Sequence, residues 1–424
     1  MVNLLRGRAA RRLRTALELD VYRIDRSLSA RRLKSMRGGA LGVPMAVVLG
    51  GIELVRPLAL AGIPCGVVVP PGNAARLSRY ATTIFDWDWN QPISKHGEEL
   101  ANRLIQYAKS QPEPPVLFYY WDEPLLFLSR YRKELAQAFR FVIPDAKLVE
   151  ALVDKARFWA LAEELSLPVP ATRILLSGSA QPPDVSPLGY PLIIKPYRRD
   201  RLWESVGLVH KAKALRVDTI EEFYAAWPRL SAIRGAVIAQ QYIDGPESSV
   251  ESYHVYVDQH GEIAGEFTGR KIRTLPLEYG HTTALTITDA VDVAHRGREL
   301  VRVLGLRGVA KFDFKRGPDG QLYLLEVNPR FNLWHHPGAR AGVNLPALVY
   351  TDLTGYPRLE VMQPPRNVSW CHPKDFLAAR EAGVPCIQWL PWALRCEAKA
   401  FWDRNDPMPF VRSAVSYLLS GGTV

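Results

Sequence analysis

The sequence predicts a mixed α/β protein in which a parallel sheet comes first and antiparallel strands follow. Residues 44–71 contain a short apolar strand, a turn at Gly50–Gly51, a helix and a second apolar strand. Such a βαβ unit places its two strands in parallel. Further along, GPDG at 317–320 separates two strand-forming runs and predicts an antiparallel hairpin.

The length and composition are those of a globular protein with two or three domains. The 424 residues include 47% hydrophobic and 23% charged residues, which are ordinary values for a soluble enzyme. The net charge of +11 is concentrated at the start, because residues 1–40 contain eleven Lys and Arg but three Asp and Glu. The rest of the chain is nearly neutral, which argues against a nucleic-acid-binding protein.

Residues 1–40 form a basic extension in which Leu5, Ala9 and Leu13 lie near helical spacing. Two interpretations remain open: this helix packs on its own domain or on a partner subunit, or it attaches to an anionic membrane surface. No apolar run reaches the roughly 18 residues of a membrane span, and no secretion signal is recognisable. Four widely spaced cysteines indicate reduced thiols. We expect a cytoplasmic protein, with peripheral membrane attachment as the alternative.

Changes in composition divide the remaining chain into three parts. A helix and a Pro-punctuated link at 152–172 predict the end of an N-terminal α/β domain, 41–150. Residues 151–363 then form the second domain. The Trp- and Pro-rich residues 364–424 form a C-terminal extension that covers it.

Two acids, Asp122 and Glu123, follow an apolar strand of the first domain. Open α/β sheets bind their ligands at the carboxyl ends of strands, so both acids are candidate substrate contacts. The alternative is that they only face the positive end of a helix dipole.

The hairpin predicts which apolar side chains face each other. If the loop consists of the four residues 317–320, Phe312 lies opposite Leu325 and Phe314 opposite Tyr323. We expect this face in the core, because a slip of one residue would expose both phenylalanines.

The other face of the hairpin carries polar residues. It places Lys311 opposite Glu326 and Asp313 opposite Leu324, and Asn328 extends the same row. Carboxylate and amide oxygens are the ligands that Mg²⁺ prefers, and Mn²⁺ accepts the same set. The sequence therefore predicts a metal site formed by Asp313, Glu326 and Asn328.

The second strand of this hairpin resembles a known signature. Residues 326–330, Glu-Val-Asn-Pro-Arg, resemble the E-x-N-x-R motif of the ATP-grasp superfamily, which has an acid on the preceding strand as Asp313 is here. The resemblance covers roughly residues 45–350. GRKIRT at 269–274 and AGVNLP at 341–346 resemble a subgroup of carboxylate–amine ligases that is also similar to D-aspartate ligase.

This resemblance implies the organisation of the fold and of the nucleotide site. The fold would contain a parallel pre-ATP-grasp domain, a small α+β lid at about 170–244 and an antiparallel-sheet grasp subdomain. Lys155 and Lys195 would contact the ATP phosphates, and Glu247 would bind the ribose hydroxyls. The hinge that lines the adenine would be Gln240, Gln241, Tyr242 and Ile243.

The resemblance also implies catalytic and substrate-binding groups. Arg330 would face the carboxylate or acyl-phosphate oxygens, and Lys311 would neutralise developing charge. Arg270, Lys271 and Arg273 would bind substrate from a polar loop at 269–283.

The lid departs from the family pattern. Its phosphate-covering loop is normally rich in glycine, whereas residues 198–213 contain one glycine and several basic residues. We expect Arg201, Lys211 or Lys213 to replace the missing backbone contacts.

The implied activity is an ATP- and Mg²⁺-dependent ligation of a small-molecule carboxylate to an amine, through an acyl phosphate, by a protein of a type that is often a homodimer. The alternatives are a non-amine nucleophile, a nucleotide-binding scaffold without turnover, and a metallohydrolase built on His335 and His336. Adjacent side chains point in different directions, which disfavours a shared metal. These histidines can instead shape the acceptor pocket.

Overall fold

The computed structural model describes residues 42–197, 214–233, 235–277 and 279–419. The predicted helix within 1–40 and the candidates Arg201, Lys211 and Lys213 lie outside the described residues. In the described part, no helix is both long enough and apolar enough to cross a membrane.

The predicted α/β class is confirmed, and the parallel sheet comes first. Its strands are β1 (Ala46–Leu49), β2 (Cys65–Val69), β3 (Ala81–Asp86) and β4 (Val116–Tyr119). Its helices are α1 (Ile52–Leu60), α2 (Ile93–Lys109), α3 (Asp122–Arg130), α4 (Arg132–Leu135) and α5 (Ala146–Val153). The strand order is β3-β2-β1-β4, with all pairs parallel.

The carboxyl ends of β1 and β4 approach each other closely at Gly50. A Cβ atom on Gly50 would lie 2.4 Å from the Cβ of Tyr120, so a larger residue would push the two strand ends apart. The chain leaves β1 toward β2 on one side, while β4 lies on the other side. Open α/β sheets bind ligands at such a switch point.

A small antiparallel sheet follows. It contains β5 (Thr172–Leu176), β6 (Leu192–Pro196), β7 (Leu215–Val217) and β8 (Ala236–Gln241), in the order β5-β8-β6-β7. The helices of this region are α6 (Lys155–Glu164) and α7 (Ile220–Leu230). Thr219 caps α7 by accepting a hydrogen bond from the Glu222 N–H. Phe223 and Trp227 of α7 pack in the core beneath the sheet.

The third sheet is the largest. Its strands are β9 (Val250–Val257), β10 (Ile263–Leu275), β11 (His281–Thr288), β12 (Gly308–Arg316), β13 (Leu322–Asn328), β14 (Ser369–Cys371) and β15 (Ala398–Lys399). Their order is β13-β12-β9-β10-β11-β14-β15, and only β14 and β15 pair in parallel. The other helices are α8 (Val291–Val303), α9 (His335–Arg340), α10 (Leu345–Thr354), α11 (Asp375–Glu381), α12 (Cys386–Arg395) and α13 (Met408–Leu419).

Helix α8 covers one face of this sheet. Gly297 of α8 lies so close to the Tyr253 ring that a Cβ there would be 2.2 Å from it. The same core contains Phe312, Phe314 and Val327 of the hairpin strands, all buried. The opposite face of β9 and β12 is therefore left for polar residues.

The predicted polar loop at 269–283 is mostly strand. β10 and β11 pair from Thr268 opposite Thr288 to Leu275 opposite His281, which leaves a turn at 276–280. Register shifts beside Arg273 let the two strands stay paired. The loop was predicted from the charged residues of this segment. Such residues also occur in antiparallel strands, because one face of the strand can remain polar.

The C-terminal extension contacts both the large sheet and helix α1 of the first domain. β14 and β15 extend the large sheet, and Arg56 of α1 donates hydrogen bonds to the carbonyls of Lys399, Phe401 and Trp402. All four cysteines are free thiols, as predicted, and Cys386 alone among them is exposed.

Candidate active site

The β12–β13 hairpin has a different register from the predicted one. The turn contains five residues, 317–321, because Arg316 pairs with Leu322 and the Gly317 N–H bonds to the Gln321 carbonyl. A bulge between Asp313 and Phe314 inserts a further residue on β13. The predicted register is therefore wrong by one residue next to the turn and by two residues beyond the bulge.

The corrected register changes both faces. In the core, Leu324 lies opposite Phe314, whereas the predicted Tyr323 and Leu325 are only partly buried. On the polar face, Asp313 is directly opposite Glu326, and Lys311 is opposite Asn328 instead of Glu326. The two acids are thus closer than the sequence predicted, because beyond the bulge the turn and the bulge together shift the pairing by two positions, which keeps Glu326 and Asn328 on the polar face.

Asp313 is the buried end of this polar row, with 3% of its surface exposed. Ser252 of β9 donates a hydrogen bond to its Oδ1, and the Lys311 Nζ lies 2.5 Å from its Oδ2. The Lys311 ammonium also lies over the Trp334 ring, 5.7 Å from its centroid. Lys311 therefore supplies the positive charge that a buried carboxylate requires.

The exposed end of the row is a chain of hydrogen bonds. Asn328 donates to Glu326 Oε1 at 2.9 Å, and Arg330 Nη2 donates to Asn328 Oδ1 at 3.1 Å. Arg330 Nε in turn donates to Asp122 Oδ1, at the start of α3. Burial opposes the charge of Arg330, but Asp122 outweighs it and raises the pKa of the guanidinium. The row thus ends at the switch point of the parallel sheet.

Two lysines, Lys195 and Lys155, lie near this polar row. Lys195, on β6, donates to Gln240 Oε1 at 2.9 Å. Burial and the nearby ammonium of Lys155 lower the pKa of Lys195 to about 8, with Lys271 acting in the same direction and Glu326 opposing them. The ammonium groups of Lys155 and Lys271 therefore lie near enough to act on Lys195, which makes its surroundings favourable for an anion.

Lys155 is the first residue of α6, where Asp154 caps the helix. Its Nζ donates to the Pro196 carbonyl at 3.1 Å, so the end of β6 and the start of α6 are held together. Lys155 and Lys195 thus lie close to each other although 40 residues separate them in the sequence.

The predicted adenine hinge lies at the end of β8. Gln240 is buried, and its amide bridges Lys195 and Thr172. The backbone N–H groups of Gln241 and Tyr242 donate to the carbonyls of Ala171 and Pro191. The hydrogen bonds among the described residues do not use the N–H of Ile243.

Glu247 lies beyond this hinge and faces the β10–β11 turn. Its Oε1 accepts a hydrogen bond from the Tyr279 N–H at 2.9 Å. The preceding carbonyls of Gly245 and Pro246 accept from Lys315 Nζ at 2.6 and 2.8 Å. The sequence analysis missed Lys315, although strand alternation places it on the same side of β12 as Lys311 and Asp313.

The three predicted substrate-binding residues on β10 differ in their surroundings. Arg270 is exposed, and Lys271 faces the lysine cluster. Arg273 forms a two-point ion pair with Asp375 of α11, at 3.0 and 2.6 Å, and its guanidinium lies 4.5 Å from the centroid of the Trp392 ring. Its Nε and Nη2 are thus used inside the protein, and the role of Arg273 in binding substrate stays a prediction.

Among the described residues, no group of three His, Cys, Asp or Glu could hold a metal ion. Asp313 and Glu326 lie on directly opposed positions, and the amide oxygen of Asn328 follows. This set suits Mg²⁺, which uses one or two carboxylates and completes its shell with water and phosphate oxygens. His335 and His336 are buried on α9, and His335 Nδ1 bonds to the Asn332 backbone.

Comparisons with known proteins show which proteins the chain is similar to. The family described as "ATP-grasp in the biosynthetic pathway with Ter operon" matches residues 234–372. A D-aspartate ligase from Enterococcus faecium is 26% identical over 235 residues, which are 53% of this chain and 55% of that protein. A D-alanine–D-alanine ligase from Stutzerimonas stutzeri is 30% identical over 188 residues, 42% of this chain and 54% of that protein. The chain spans about half the length of these relatives.

Solved structures with a similar fold were also found. The ADP complex of N5-carboxyaminoimidazole ribonucleotide synthetase superposes with a TM-score of 0.57 at 15% identity. The superposition covers 78% of this chain and 82% of that one. At this level of identity the likeness shows a common fold.

Proposed function

Because this chain carries an ATP-grasp domain, we propose that it is an ATP- and Mg²⁺-dependent ligase that joins a carboxylate to an amine and releases ADP and phosphate. One observation carries the proposal: Lys155, Lys271 and Glu326 all act on the ammonium of Lys195, and Glu326 lies directly opposite Asp313. Cations for phosphate beside oxygens for a metal are what a magnesium–nucleotide complex requires.

The nucleotide would lie between the lid sheet and the large sheet. Lys155 and Lys195 would contact its phosphates as point charges. Ile243 would offer its N–H to the adenine edge, since the neighbouring N–H groups of Gln241 and Tyr242 are already bonded. Glu247 would accept hydrogen bonds from the ribose hydroxyls.

Asp313, Glu326 and Asn328 would hold Mg²⁺. The ion would neutralise phosphate charge and orient the triphosphate. Lys311 now compensates the charge of Asp313 at 2.5 Å. With Mg²⁺ bound, Asp313 would be one of its ligands, and Lys311 would be available to stabilise charge on the transferred phosphoryl group.

The proposed reaction has two steps. An oxygen of the substrate carboxylate attacks the γ-phosphorus of ATP, the bond to the bridging oxygen breaks, and ADP leaves. The amine nitrogen then attacks the carbonyl carbon of the acyl phosphate, loses a proton and expels phosphate. Arg330 would bind the oxygens of this intermediate, which the weak contact of its Nη1 with the Tyr120 carbonyl, at 3.5 Å, supports.

The names of the two curated relatives suggest amino acids as the first compounds to test. Purified protein with ATP and Mg²⁺ should release ADP and phosphate only when a carboxylate and an amine are both present. The variant Glu326→Gln should lose at least about 100-fold of this activity. The matched control Glu163→Gln, an exposed acid on α6, should keep it.

Other outcomes would point to the alternatives. Release of ADP with a carboxylate alone would contradict the amine step and favour another nucleophile. Nucleotide binding without turnover across a wide panel would favour a scaffold. Undiminished activity of Glu326→Gln would show that the metal site is wrongly assigned.

A further inference from the structure

A cavity of about 540 Å³ lies between the 132–143 segment and the beginning of β12. We call it the arginine cleft, because Arg132, Arg140 and Arg307 line it. The rest of its lining is mainly apolar and consists of Ala136, Phe139, Phe141, Val142, Ile143 and Leu353, with Gln259 as the one uncharged polar side chain.

The arginine cleft is separate from the candidate active site. Arg307 immediately precedes β12, and Asp313 is six residues further along the same strand. At about 3.3 Å per residue, the two positions are roughly 20 Å apart. None of the residues that we assign to nucleotide, metal or substrate lines the cleft.

The charges of the cleft are only partly compensated. Arg140 pairs with Glu113 at 3.2 Å. Arg307 uses its Nε and Nη1 for the carbonyls of Gln259 and Leu306, which are neutral acceptors. Among the described residues, Arg140 is thus the one of these three arginines that forms an ion pair.

Of the three arginines, Arg132 is the one with a buried donor that has no hydrogen-bond partner among the described residues. Its Nη2 donates to the Pro144 carbonyl, and the buried donor is its Nε. Burial lowers the pKa of this guanidinium, and the nearby Asp145, which opposes that effect, is already the cap of α5. A buried donor without a partner lowers stability unless a ligand or water satisfies it.

We propose that the arginine cleft binds a small organic oxyanion, a phosphate monoester or a carboxylate, that has an apolar body. The planar forks of arginine suit the oxygens of either group. The apolar wall, from Phe139 to Leu353, would accept the rest of the ligand. A cavity of this volume is within the usual range for small-molecule sites.

The test is isothermal titration calorimetry with three probes: phenyl phosphate, benzoate and inorganic phosphate. Saturating ADP and Mg²⁺ fill the proposed nucleotide site during the titration. If ADP does not bind, the variant Lys195→Gln is titrated without nucleotide, because it should weaken binding of the probes at the proposed nucleotide site. The cleft can therefore be tested even if the proposed function is wrong.

We expect one site for phenyl phosphate or benzoate, and affinity at least about tenfold lower in Arg307→Gln, since each charged hydrogen bond contributes more than about 1.4 kcal/mol. Arg140→Gln gives a second reading if Arg307→Gln does not fold. The control Arg229→Gln, an exposed arginine at the end of α7, should bind as the unchanged protein does. Tighter binding of phenyl phosphate than of benzoate would assign a phosphate monoester, and the reverse a carboxylate.

Three results would overturn the proposal. The first is no binding of either aromatic probe at millimolar concentration. The second is equal affinity in Arg307→Gln, Arg140→Gln and the unchanged protein, or loss of binding in Lys195→Gln. The third is inorganic phosphate binding as tightly as phenyl phosphate, which would leave no role for the apolar wall.

Discussion

The ion pair of Asp122 and Arg330 connects the parallel sheet to the end of β13. Both side chains are less than a quarter exposed, at 23% and 14%, so solvent screens the pair less than a surface ion pair. Sequence analysis selected both residues, each for a different reason. It could not predict their contact, because 208 positions separate them in the chain.

Replacing Asp122 by Asn should lower the kcat for ADP release by about 10- to 100-fold, because Arg330 loses the carboxylate that orients its guanidinium. The affinity for ADP, which depends on the lysines, should remain unchanged. Steady-state kinetics and ADP titration measure the two effects. Glu163→Gln, the exposed acid on α6, is the control, and equal losses in both variants would contradict the positioning role.

The affinity for ADP should fall as the pH rises through about 8. The pKa of Lys195 is lowered to about 8 in the free protein, so its ammonium is lost above that value and retained below it. Since the charged form binds phosphate, the affinity should decrease by up to about tenfold per pH unit on the alkaline side.

Calorimetric titration with ADP between pH 6.5 and 9.5 measures this dependence. In Lys195→Gln the affinity should be lower and the alkaline decrease should disappear. A decrease of the same size in that variant would assign the titration to another group.

Among secondary-structure elements, the β12–β13 hairpin shows what patterns can predict. Alternation correctly placed Phe312 and Phe314 in the core and Asp313 on the polar face. The length of the turn and the bulge at Leu325 could not be read from the sequence, because GPDG is compatible with more than one loop length. Both depend on tertiary packing.

Strand β10 gives the clearest prediction about stability. Arg273→Gln should lower the free energy of unfolding by about 3 kcal/mol, because it leaves the fully buried Asp375 without its cation. Arg270→Gln, three residues earlier on the same strand and exposed, should change it by less than about 0.5 kcal/mol. Urea denaturation of both variants measures the difference, and similar values would refute a structural role for Arg273.

For the whole molecule, the sequence predicted that a parallel sheet comes first and antiparallel sheets follow. Both kinds of sheet could be predicted because the βαβ unit and the hairpin are recognisable from short segments of sequence. The polar row was also predictable, since all its members lie on one hairpin and the segment after it. The arginine cleft was not, because Arg132 and Arg307 are brought together only by the packing of distant segments. Whether residues 1–40 contact a membrane or a partner subunit stays a prediction.

Mg²⁺ and ADP together should raise the midpoint of thermal unfolding more than ADP alone. A ligand at 100 times its Kd stabilises the folded protein by about 2.7 kcal/mol. Differential scanning fluorimetry with and without EDTA measures the effect. Glu326→Gln should lose the part that depends on Mg²⁺, while Glu163→Gln should keep it; identical shifts with and without EDTA would argue against the metal site.

The ion pair of Arg273 and Asp375 also decides how the protein can be cut for experiments. The matched family region ends at residue 372, three positions before Asp375. Thr283 and Trp389 also donate to this carboxylate, so both sides of the boundary hold it. A fragment that stops at residue 372 would leave the guanidinium of Arg273 without its carboxylate. Shortened forms of this region therefore need to continue at least through β15.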